Sequence, residues 1–188
     1  MKKKIVVIIA FISLIYSGNA LSQPAVGQTA PSLPSLKIID NNFPNRGNKY
    51  LYLDFWTTTS APEVRSLDHL NSLALRFKPK VIFLAVTDEN EQQVRSLLQT
   101  KQWNYLYVGL DEDQVYHKKF SVKEPPIFYL ISPDNVILAS GSSAELMDYK
   151  LDSIINKNDS LRLNIPSKYV APSGKYKMIV RPSAKNKK

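Results

Sequence analysis

The sequence predicts an α/β protein built on a mixed β-sheet with helices on both faces. Three observations lead there. Apolar runs of strand length alternate with segments whose apolar residues recur at helical spacing. Two late runs, Ile127–Ser132 and Val136–Ser140, are separated only by Pro133-Asp134-Asn135, which is hairpin turn chemistry. The earlier runs are joined through helical segments, the connection that parallel neighbours require.

Each element has its own reason. Residues 21–34 are rich in Pro, Ser, Gln and Ala and read as an extended lead-in. Leu36–Asp40 has the length of a short strand, and the turn residues of 41–48 make a loop. Tyr50–Trp56 is apolar and aromatic, as a central strand should be. From Ser60 the period changes. Val64, Leu67, Leu70, Leu73, Ala74 and Phe77 follow helical spacing until Lys78-Pro79. Val81–Val86 is a second buried strand, and Glu89–Gln102 a helix with Val94, Leu97 and Leu98 inward. Tyr105–Val108 is expected as a strand at a sheet edge, and Asp111-Glu112-Asp113 as the opening of a short helix ending near Phe120. The hairpin follows, then a helix over Ala144–Ile155, and after Asn156 the pattern dissolves. One domain over residues 35–156 accounts for these elements, with a basic tail over 157–188.

Composition narrows the function. The chain has 188 residues, 44% hydrophobic and 22% charged, and no cysteine. Disulfides, thiolate metal sites, iron–sulfur clusters and thiol redox steps are excluded, because each needs a sulfur. The net charge of +9 sits at the ends. Lys2, Lys3 and Lys4 open the chain, and residues 167–188 carry seven basic residues and no acid. The body between has 15 basic against 16 acidic residues, so it lacks the basic stripe of a specific nucleic-acid binder.

The N-terminus reads as a signal peptide over residues 1–20. The basic start is followed by the apolar run Ile5–Tyr16 and by Ser17-Gly18-Asn19-Ala20, with cleavage expected after Ala20. Twelve helical residues span about 18 Å, short of the ~30 Å hydrocarbon core. The expectation is export to a bacterial periplasm. In the tail, Lys175, Tyr176, Lys177 and Arg181 are candidate contacts for an anionic membrane, a polyanion or an acidic protein. Tyr176–Val180 also has the character of a strand that adds to a sheet edge.

With the elements in this order, Tyr52-Leu53-Asp54-Phe55-Trp56-Thr57-Thr58-Thr59-Ser60-Ala61-Pro62-Glu63 resembles the active-site segment of a thioredoxin. It is most similar to the TlpA/ResA-like exported branch, whose pattern runs F-W-A-x-W-C-x-P-C. Val26-Gly27-Gln28-Thr29-Ala30-Pro31 resembles that family's G-x-x-A-P opening, and Glu124-Pro125-Pro126-Ile127-Phe128 its cis-proline segment, V-P-T-x-F. The resemblance spans residues 26–156 and implies a thioredoxin-like fold. It aligns Ser60 and Glu63 with the two cysteines and Thr59 with the usual tryptophan. Asp54 falls on the buried acid, and Pro125 on the cis-proline, with Pro126 replacing a threonine.

Those replacements end thiol–disulfide exchange, because a serine hydroxyl cannot replace an attacking thiolate. They suit a helix start instead. Ser60-Ala61-Pro62-Glu63 has the spacing of a capping box, with Ser60 accepting from the Glu63 N–H and Glu63 reaching back to the Ser60 N–H. A solvated Glu63 folded into that cap is expected, with Asp54 hydrogen-bonded by itself. The competing reading pairs Asp54 with Glu63 as an acid–base site. A hydrolytic Ser60 lacks its base: His69 lies about 13 Å along the same helix. Asp111-Glu112-Asp113 with His117 matches no calcium or zinc spacing, so neither metal nor cofactor is called for. The expected function is non-catalytic binding of a periplasmic protein or peptide through Trp56, Thr59, Ser60, Ala61, Pro62, Glu63 and Pro125, through the tail, or through both. Acid–base catalysis and tethering through the tail are the alternatives.

Overall fold

The structure, a computed structural model, describes residues 22–39, 42–143 and 148–163. The signal peptide over 1–20 and the tail contacts Lys175, Tyr176, Lys177 and Arg181 lie outside the described residues.

Six strands form one mixed sheet in the order β1-β4-β3-β2-β5-β6. The strands β2 (Tyr50–Phe55) and β3 (Val81–Thr87) lie at its centre and are buried along their whole length, which is why both read as unbroken apolar runs. They pair in parallel, with Tyr50 opposite Val81 and Phe55 opposite Val86, so the chain between them must cross over. It does so through α1 (Ala61–Phe77). A second crossover, α2 (Glu91–Leu98), leads from β3 to the parallel strand β4 (Tyr107–Leu110). Successive crossovers in one direction share a hand and put both helices on one face. There α1 and α2 share a core with α4 (Asp148–Leu163), built on Leu67, Leu70, Phe83, Val94, Leu151 and Ile155. The opposite face is covered by the shorter α3 (Val115–Phe120) and by the lead-in, through Ala30, Leu33, Leu36, Tyr116 and Phe120.

Several boundaries differ from the sequence expectation. The strand β4 lies inside the sheet, because β1 (Lys37–Ile39) pairs with its outer side, Ile38 opposite Gly109. A short strand at Leu36–Asp40 is legible in the pattern but its partner is not, so the edge expected for Tyr105–Val108 belongs to β1. The lead-in is part of the fold. The Gly27 N–H donates to the Ile137 carbonyl and the Ile137 N–H to that of Gln28, at 2.8 and 2.9 Å. Leu36 then crosses so close to Gly109 that a Cβ there would lie 2.2 Å from a Leu36 methyl carbon.

The last helix runs past Asn156 to Leu163. Its final turns are fastened by polar contacts that an apolar pattern does not register. Tyr50 donates to Asp159 (2.5 Å), Lys80 pairs with Asp159 (3.0 Å), and Arg162 pairs with Asp134 (2.7 Å). The expected hairpin is present as β5 (Ile127–Ile131) and β6 (Ile137–Gly141), with Asn135 taking the left-handed conformation its residue type tolerates. Among the described residues, no helix is long and apolar enough to cross a membrane.

Candidate functional site

The carboxyl end of β2 positions the site. Asp54 lies between Ala85 of β3 and Phe128 of β5, with its side chain inside the protein and only 1% of the residue exposed. It accepts a 2.6 Å hydrogen bond from the Ser143 hydroxyl. Burial pushes its carboxyl up to about 8; the Ser143 bond pulls the other way, and the neighbouring Glu63 carboxylate adds to the rise. At neutral pH Asp54 is therefore mostly protonated.

The next residues leave the sheet. Trp56 is fully buried, its ring edge-on to Trp103 at 5.7 Å, and its indole N–H has no partner among the described residues. It belongs to the core, so the expectation that it lines a binding surface is corrected. The sheet still holds its backbone, through Trp56 N–H to the Val86 carbonyl at 3.1 Å.

Two carboxylates hold the loop that follows. Glu63 accepts from the Thr57 N–H at 2.7 Å, and more weakly from the Thr57 hydroxyl at 3.4 Å. Glu89, in the β3–α2 connection, accepts from the Thr58 N–H at 2.6 Å and the Thr58 hydroxyl at 2.9 Å. Gln93 bonds both the Thr58 hydroxyl and Glu89, and the Thr87 hydroxyl reaches Glu89 from below. Charge-assisted bonds to backbone amides are the stronger kind, and two successive amides are held this way.

The capping box is corrected by the same geometry. Ser60 is the N-cap with an extended backbone, and the proline in the first helical turn is where it was expected. Its side chain makes no cap bond, and Glu63 reaches past it to Thr57. Nor is Glu63 solvated: it is buried, still at the positive end of the α1 dipole but serving the preceding loop.

The cis peptide joins Pro125 to Pro126, so Pro126 takes the cis-proline position assigned above to Pro125. The register agrees: Ile127 lies opposite Phe55, which makes Pro126 the neighbour of the segment leaving β2. Ile127 thus stands where the resembled pattern has threonine. Thr59, Ala61 and Pro62 are exposed at the start of α1, and Ser60, Pro125 and Pro126 are half-buried.

Asp111 and His117 pair with each other at the start of α3. Asp111 is buried and accepts from the backbone N–H groups of Tyr116 and His117, and it pairs with His117 Nδ1 at 2.7 Å. It caps α3. Among the described residues, no group of three or more His, Asp or Glu side chains is placed to hold a metal ion. A cavity of about 360 Å³ opens elsewhere, between Pro34–Lys37 of the lead-in and Leu110–Asp113.

Sequence reasoning brought Asp54, Glu63 and the proline segment to one end of the sheet, as observed. It missed Glu89, Gln93 and Ser143, which reach the site from 31, 35 and 89 residues away from their partners. The one available signal was that Glu89 follows directly on a buried parallel strand, and loops at the carboxyl ends of such strands gather around sites.

Sheet order, crossover helices, terminal hairpin and cis-proline together define a thioredoxin-like fold, and solved structures agree. The thioredoxin domain of a thiol-disulfide oxidoreductase from Bacteroides vulgatus matches with a TM-score of 0.58 at 20% identity, over 72% of this chain and 99% of that one. StoA from Bacillus subtilis matches with a TM-score of 0.54 at 19% identity, over 66% and 99%. The exposed lipoprotein thioredoxin Etrx1 of Streptococcus pneumoniae matches with a TM-score of 0.51 at 17% identity, over 58% and 85%. No family model and no curated protein sequence matches the chain. At these identities the likeness establishes the fold. With no cysteine, this chain has no thiol of its own for disulfide exchange.

Proposed function

We propose that this chain is an exported, redox-inactive member of the TlpA/ResA-like group that binds a protein or peptide in the cell envelope. The binding face is the loop from Thr57 to Glu63 together with Pro125 and Pro126. One observation carries the reading: the two cysteine positions hold Ser60 and Glu63, and the Glu63 carboxylate is spent on the Thr57 amide. A site rebuilt in this way is rigid rather than reactive. It presents Thr59, Ala61 and Pro62 to solvent beside two half-buried prolines, a surface already ordered before a partner arrives, which lowers the entropic cost of binding.

A second reading has its own observation in favour. A protonated Asp54 close to the Glu63 carboxylate is the arrangement from which acid–base sites are built. Against it, Asp54 is sealed beneath the loop, and Glu63 is buried with its carboxylate on Thr57. A proton-transferring group must come within hydrogen-bond reach of a substrate.

Crosslinked capture from envelope extract tests the binding reading. The wild-type chain is compared with Ala61→Arg, which changes the proposed face, and with Leu75→Arg, an exposed position on α1 outside it. The reading predicts a partner retained by Leu75→Arg and lost by Ala61→Arg. Equal capture by all three chains overturns it.

A further inference from the structure

The sheet has two edges, and on one of them a position is left open. The Ser132 N–H donates to the Val136 carbonyl, so Ser132 faces β6. By the alternation of an antiparallel ladder, Leu130 and Phe128 face β6 as well, while Tyr129 faces β2. Ser140, opposite Tyr129, must then turn its N–H and C=O outward. Further back along the same edge, Ile137 spends both groups on the lead-in. Ser140 is exposed, and among the described residues no backbone group meets its outer side. An unpaired edge of this kind invites a further strand.

Two observations point to the occupant. The last helix ends within reach of this hairpin: Arg162 is fastened to Asp134 and Asn48, both at 2.7 Å, and Asp134 lies in the turn that opens β6. The chain beyond it holds one segment of strand character. In Lys175-Tyr176-Lys177-Met178-Ile179-Val180-Arg181, the residues Tyr176, Met178 and Val180 alternate with Lys177, Ile179 and Arg181, and Gly174 and Pro182 bound the run. Residues 164–175 supply twelve residues of connection, up to about 40 Å when extended, against about 17 Å for the length of β6. Reach is ample whichever way the added strand runs.

We propose that residues 176–181 add to the outer edge of β6 in the same molecule, pairing at Ser140. This inference is independent of the binding reading above. Tethering through the short connection gives the segment an effective concentration of the order of millimolar, so a ladder of few bonds suffices where a partner in trans needs many. Strand addition would place the Tyr176, Met178 and Val180 side chains on one face of the sheet and those of Lys177, Ile179 and Arg181 on the other.

Amide hydrogen exchange by NMR on the full chain tests this, with Met178→Pro and Ile179→Pro beside it. The two positions are adjacent, so one of the prolines necessarily removes an N–H that faces β6. Lys185→Pro, outside the segment, is the control, and the amides of β2 and β3 report that the fold is intact in each. The Ser140 amide should exchange at least tenfold more slowly than an exposed peptide. It should speed up tenfold or more in one of the two prolines, stay unchanged in Lys185→Pro, and keep its protection on hundredfold dilution. A Ser140 amide that exchanges freely in the wild-type chain overturns the proposal, as does one indifferent to both prolines. Protection lost on dilution also overturns it, because the strand would then come from a second copy.

Discussion

Replacing Asp54 by Asn should stabilise the protein by an amount that depends on pH in a way no surface change imitates. Asp54 titrates near 8 in the folded protein and near 3.8 in an unfolded chain. Between those values the native state holds a proton that the unfolded state has released, so raising the pH favours unfolding. Each pH unit in that window costs the wild type about 1.4 kcal/mol, or about 4 kcal/mol by pH 7. That is a large share of the ~5–15 kcal/mol that holds a domain together. An asparagine keeps the shape and an acceptor for Ser143 and carries no charge, so it escapes the penalty. Urea titrations of both chains from pH 4 to 9, followed by the fluorescence of Trp56 and Trp103, measure the difference. The two chains should be nearly equal in stability at pH 4. The gap should open by about 1.4 kcal/mol per unit and level off above pH 8. A gap that is flat with pH, or a wild type more stable at pH 7, would refute the reasoning, because the buried carboxyl would not then carry the proton assigned to it.

Four further substitutions probe the loop and its setting. Glu89→Ala leaves the Thr58 amide without its acceptor and should cost about 1–3 kcal/mol, with faster exchange at the Thr58 amide and unchanged exchange in β3. Ser60→Ala should change stability by no more than ~0.5 kcal/mol, since its side chain makes no cap bond, whereas Asn90→Ala should cost about 1 kcal/mol because Asn90 accepts from the Gln93 N–H at 3.0 Å. Thermal or urea unfolding of the two side by side checks that order, and a more damaging Ser60→Ala would restore the capping box. Trp56→Ala should cost about 3–5 kcal/mol as a core cavity, seen as a lower urea midpoint.

The buried Asp54 and the carboxylate clamp meet at one end of the sheet. A sheet end that buries an acid beside the start of α1 holds its loop through backbone amides on Glu63 and Glu89. The bonds are strong because they are charge-assisted and partly shielded from water. They also occupy the amides that a strand-like partner would seek, leaving Thr59, Ala61, Pro62 and the two prolines as the accessible chemistry.

What the sequence determined by itself was whatever repeats along the chain. The apolar runs Tyr50–Trp56 and Val81–Val86, the helical spacing from Val64 to Phe77 and the Pro-Asp-Asn turn set the strand and helix types, because periodicity records which face each element must bury. The absence of cysteine leaves the chain no thiol of its own for disulfide exchange. Tertiary structure alone decided the rest. It set which strand lay at the edge, where Trp56 pointed, which proline was cis and where α4 stopped. It also decided that Glu63 would serve Thr57 rather than Ser60, and that Glu89 and Ser143 would join the site at all. The physical reason is the same in each case: a carboxylate or hydroxyl chooses among all the donors and acceptors that the fold brings within 3 Å. Sequence spacing reports only the neighbours along the chain.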